Sequence, residues 1–113
     1  MAAAECSDGL PEFGNYKDIL KMGDSPQALL DLITSDGFHM HDQWQVQVQA
    51  QIQKRAQVHL HTDGLTDEQI HQAHLKRCLD VAETAERLAH AAGPDARIAV
   101  LPQGPQTIPY VAR

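Results

Sequence analysis

Between His41 and Val58 the chain reads HDQWQVQVQAQIQKRAQV. From Trp44 to Ile52 every even position is apolar (Trp44, Val46, Val48, Ala50, Ile52) and the odd ones are glutamine. Strict alternation is the mark of a half-buried strand. Glutamine, however, favours helix, and six of the eleven residues from 43 to 53 are glutamine. Asp42 with Gln45 approximates a capping box, and Lys54-Arg55 stands where a helix C-terminus prefers cations. As a helix, the segment would place Trp44, Val48 and Ile52 within a sector of about 80°. Val46 and Ala50 would lie on the far side, which suits a helix sandwiched between a sheet and another element. As a strand, it would form a hairpin with Gln57–His61 through Lys54-Arg55, a dipeptide without the Gly or Asn such a turn wants. The residues alone leave both readings open.

The rest of the chain is punctuated more clearly. A small apolar run, Met1–Cys6, is the first strand candidate and ends in the turn-rich SDGLPEFGN. Asn15 is placed to cap a helix over Tyr16–Met22, which Gly23 stops. Ser25-Pro26 opens a second helix, with Leu29, Leu30, Leu32 and Ile33 on its buried side and Ser35-Asp36-Gly37 at its end. Thr66 with Gln69 opens a helix to about Leu75, and Asp80 with Glu83 opens Val81–Ala92, closed by Gly93-Pro94. Further strand candidates are Gln57–His61, Arg97–Leu101 and a short one near Lys76–Leu79. The tail from Pro102 to Arg113 has room for one edge strand at most. Short strands alternating with capped helices predict an α/β fold, a partial doubly wound (Rossmann-like) parallel sheet flanked by helices. Because the first strand begins at Met1, residues 1–113 are expected to be a single domain cut at its N-terminal side.

Composition narrows the function. Nine Lys plus Arg against fifteen Asp plus Glu give a net charge of −6. No basic stripe is available to neutralise phosphates, so a general nucleic-acid or anionic-membrane binder is not expected. Cys6 and Cys78 lie far apart with no CxxC, and no leader or long apolar run is present, so a soluble, cytoplasmic protein is expected. The seven histidines suggest a metal site: His59/His61 and His39/His41 share HxH spacing, and His71/His74 stand at i, i+3. No pair has an obvious third ligand, and packing or solvent-facing roles are the better expectation. Cys78 is expected to be a buried small apolar residue.

Three stretches in order, AAECSDG (Ala3–Gly9), DQW (Asp42–Trp44) and GPDARIAVLPQGPQTIPY (Gly93–Tyr110), resemble the C-terminal domain of the nickel-dependent lactate racemase family. In that family the DQW segment opens a helix, so helix is expected for the alternating segment. The resemblance implies a two-domain enzyme closing over a nickel-pincer nucleotide, which inverts a 2-hydroxy acid by hydride transfer, with two histidines as acid and base. It also implies that these histidines, the cofactor lysine and the nickel ligand belong to an N-terminal domain this chain lacks. The chain alone is then expected to bind no cofactor and to be inactive, meeting a small 2-hydroxy-acid substrate only together with that domain. The one role that carries over is substrate contact by Trp44. Following the first strand, Ser7, Asp8 and Gly9 are a candidate rim of the cleft; a turn that merely ends the strand is the competing reading. The rival function is a free-standing small α/β protein that binds a partner or an anionic metabolite.

Overall fold

The structure, a computed structural model, describes residues 1–108. Its sheet has three parallel strands in the order β1 (Ala2–Ala3), β2 (His59–His61) and β3 (Lys76–Arg77). Ala2 pairs with Leu60, and His59 with Lys76. Five helices complete the α/β fold: α1 (Tyr16–Leu20), α2 (Pro26–Ile33), α3 (Gln43–Gln53), α4 (Asp67–Gln72) and α5 (Val81–Ala92).

Side-chain alternation along β2 assigns the helices to both sheet faces. Leu60 points into a cluster with Leu10, Leu65 and Ile70 of α4. On the opposite face, His59 and His61 lie with Cys78, whose Sγ is 3.4 Å from Thr84 Oγ1 of α5. The larger core is helix on helix: Ile19 and Leu20 of α1, Leu29 and Ile33 of α2, and Val46 and Ala50 of α3 are all buried together.

Caps fix most of the helix starts. The Ser25 hydroxyl accepts from Ala28 N–H, Asp80 Oδ1 accepts from Glu83 N–H, and both bonds of the Thr66–Gln69 capping box are present. Helix α4 ends three residues short of Leu75. His74 takes the left-handed conformation (φ 55°). Leu75 N–H then donates to Ile70 C=O and His74 N–H to His71 C=O, a Schellman closure with histidine where glycine is usual.

Two local expectations are corrected. The caps foreseen at Asn15 and Asp42 are not made by these side chains on their own helices. Asp42 is itself left-handed (φ 66°), and its carboxylate accepts from Asn15 N–H at 3.1 Å, so it closes the start of α1 from across the core. Arg97–Leu101, expected as a strand, is not one: among the described residues no backbone hydrogen bond joins it to a neighbour, and Ile98 and Val100 stand exposed. A strand exists only through its ladder, and apolar content alone does not supply one. Of the tail, Gly104–Gln106 forms a 3₁₀ turn. Residues 109–113, which the edge-strand expectation also covered, lie outside the described residues.

The alternating segment is a helix, and it is covered on one side only. Val46 and Ala50 are 0% exposed, whereas Trp44, Val48 and Ile52 are 63%, 51% and 52% exposed.

Candidate functional site

The site is built where β1 and β2 end beside the start of α3. After Ala3, the chain turns at Cys6 (φ 50°) and Gly9 (φ 70°), and Gly9 N–H donates to Cys6 C=O at 2.9 Å. Buried Thr62, just past β2, ties this turn down. Its hydroxyl donates to Glu5 C=O at 2.6 Å and accepts from Gly64 N–H at 3.1 Å. Gly64 has to be glycine: a Cβ there would lie 2.2 Å from Cys6 C=O oxygen and 2.3 Å from that of Glu5.

Between this turn and α3 opens a depression of about 550 Å³. Cys6, Gly9 and Leu10 form one wall, Trp44 and Val48 the other, with Leu75 and Leu65 beneath. Among the described residues, no charged side chain lines it. Two of its polar side chains, Tyr16 and Gln49, are bonded within the chain. Tyr16 donates its phenol proton to Gln49 Oε1, and Gln49 Nε2 donates to Ala73 C=O at 2.8 Å. Burial pushes the Tyr16 phenol above its ordinary pKa, which keeps it a neutral donor. The indole of Trp44, the only one in the chain, stands at the mouth. Its placement follows from the DQW stretch. Asp42 anchors the helix start to α1, Gln43 Oε1 accepts from Met40 N–H, and Trp44 projects away from the packed side.

Gly9 and Trp44 therefore line one depression, while Ser7 and Asp8 are exposed and lie outside its lining. Sequence reasoning did not find Thr62, Tyr16, Gln49 or Leu75 here. An ST-turn signal in HTDG marks Thr62 as a turn residue, but nothing local names its partner 57 positions away.

The histidines do not converge. Among the described residues no three His, Cys, Asp or Glu side chains gather to hold a metal. His39, His41 and His71 are exposed. His61 Nδ1 lies 2.9 Å from Cys78 C=O. His59 is 6% exposed, with no hydrogen-bond partner at either ring nitrogen. Its pKa is lowered, first by burial and then by the Arg87 charge. A second depression, about 320 Å³, opens at the far end of the sheet beside His71, His74 and Lys76. It holds none of the residues of the three matching stretches, and the depression at Trp44 is the better candidate site.

The model of the lactate racemase C-terminal domain matches residues 1–108. The chain belongs to the lactate racemase C-terminal domain family. No curated protein and no solved structure matches it. The family match spans the Cys6–Gly9 turn, DQW and the described part of the tail. For a nickel-pincer group, the lining of the depression offers no lysine for attachment and no imidazole for nickel. The residues of this lactate racemase C-terminal domain do not fit that group by themselves. Among the described residues, no helix is long and apolar enough to cross a membrane.

Proposed function

We propose that this domain forms one wall of the substrate cleft of a cytoplasmic, nickel-pincer-dependent 2-hydroxy-acid racemase, with Trp44 as its substrate-facing residue. The reading rests on the family match together with a solvent-facing indole at the mouth of an uncharged depression. Such a wall excludes water and limits the orientations of a small hydroxy acid, which raises the share of productive geometries. It offers no acid, base or hydride acceptor, so in this reading those come from an N-terminal domain and the isolated chain is inactive. The Cys6–Gly9 turn, held by Thr62, forms the opposite lip.

The test is racemisation of D- and L-lactate by the purified chain, alone and mixed with a cofactor-loaded N-terminal domain of a lactate racemase. The chain alone should show none, the mixture should racemise, and Trp44→Ala should raise the KM of the mixture. Racemisation by the chain alone, or an inactive mixture of two folded domains, contradicts the reading.

A further inference from the structure

A 2-hydroxy acid carries four groups on its C2 carbon: a hydrogen, a hydroxyl, a carboxylate and a side chain. In racemisation by hydride transfer, three of them need polar or reactive partners. The hydrogen needs a hydride acceptor, the hydroxyl an acid and a base, and the carboxylate a cation or free N–H donors. Among the described residues, the lining of the Trp44 depression holds no Lys, Arg, His, Asp or Glu. The Tyr16 phenol and both ends of the Gln49 amide are engaged within the chain. The backbone N–H groups of Gly9, Gln43 and Gln45 already donate to the carbonyls of Cys6, Met40 and Asp42. What remains is hydrocarbon: Leu10, Val48, Leu60, Leu65 and Leu75, together with the Trp44 indole. This lack of charge is local, since the depression at the far end of the sheet is lined by Asp24, His71 and Lys76.

We infer that this depression receives the substrate's side chain, and that this side chain is apolar and larger than methyl. The substrate is then a bulky apolar 2-hydroxy acid, rather than lactate or a hydroxy-dicarboxylate. This assignment rests on the racemase reading above and adds the substrate class to it. By elimination, the side chain is the one group on C2 that the wall is built to meet. Size then selects among side chains. A methyl group, close to a water molecule in bulk, fills on the order of 30 Å³, against about 550 Å³ in the depression. Each carbon added to the side chain covers more of the apolar lining. One methylene in an apolar pocket is worth about 10- to 200-fold in selectivity. Charge selects in the same direction. The second carboxylate of malate would lose its hydration against this lining and find no counter-ion there.

The sole tryptophan lines the depression and reports on it. The full chain is titrated with racemic lactate, malate and 4-methyl-2-hydroxypentanoate, and Trp44 emission is followed. Half-saturation with 4-methyl-2-hydroxypentanoate is expected at least tenfold below that with lactate, and malate is expected to bind more weakly than lactate. Val48→Arg, which sets a cation in the lining, should raise malate at least tenfold relative to 4-methyl-2-hydroxypentanoate. Val48 is half exposed, so the variant keeps its fold, which circular dichroism checks. If it does not, the three acids on the parent chain decide alone. No saturable change with any acid, equal half-saturation for all three, or tightest binding of malate overturns the assignment. So does a preference that a folded Val48→Arg leaves unchanged, since the depression then holds something other than the side chain. Lactate racemisation by the mixture with the N-terminal domain is read separately. A selective chain in an inactive mixture contradicts the racemase reading, whereas an unselective chain in an active mixture contradicts only the side-chain assignment.

Discussion

On one side of α3, Val46 and Ala50 are sealed among Ile19, Leu20, Leu29 and Ile33; on the other, Trp44, Val48 and Ile52 are more than half exposed. The two sides have the same chemistry in the sequence, yet one belongs to the fold and the other to the surface. What separates them is supply. Helices α1 and α2 are local neighbours that arrive before α3 and cover its first stripe, and nothing in the described residues covers the second. An apolar position thus becomes core only when the topology brings another element to it, and the uncovered stripe carries the functional interest.

Substitutions break this comparison most sharply on the covered side. Val46→Asp buries an unpaired carboxylate and should abolish cooperative unfolding in urea. Val46→Ala should cost about 2 kcal/mol in the same titration, whereas Val48→Ala should stay within about 0.5 kcal/mol of the parent. A cost at Val48 equal to that at Val46 would erase the difference between the two sides. Next in size is Gly64→Ala, whose methyl meets the carbonyls of Glu5 and Cys6. It should destabilise by about 1–3 kcal/mol and shift the amide resonances of Cys6–Gly9. Asp42→Ala leaves Asn15 N–H without its acceptor and should cost about 1 kcal/mol, less for Asp42→Asn.

The smallest effect is on pH dependence. His59 has a folded pKa below its unfolded value of about 6.5. The unfolded state therefore takes up the proton first as pH falls. The stability associated with neutral His59 is full above about pH 6.5, declines as pH drops through that value, and levels off below the folded pKa. Replacing His59 by Phe should flatten this part of the profile, measured as urea midpoints between pH 7.5 and 5. An unchanged slope would show that His59 does not titrate differently on folding.

Local signals were legible and distant ones were not. Ser25-Pro26, Thr66 with Gln69 and Asp80 mark helix starts because a cap bonds within three residues of itself. β2 and even the two-residue β3 are readable, and the DQW likeness together with the glutamines of α3 points to helix. The Asp42 carboxylate was misjudged because its partner, Asn15, lies 27 residues away in sequence. Likewise, His74 ends α4 without any glycine to announce it. Arg97–Leu101 has strand composition but no partner, and partnership is not a property of a segment. For the candidate site, the matching stretches contain Gly9 and Trp44, which line one depression, but its floor of Leu65 and Leu75 comes from loops that no periodicity marks.

One side of α3 is bare, and the single indole measures that bareness. Acrylamide quenching of Trp44 fluorescence in the native chain, compared with the same chain in urea, should give nearly equal quenching constants and a red-shifted native emission. A native indole that is blue-shifted and shielded from acrylamide at concentrations where the chain is monomeric would contradict it.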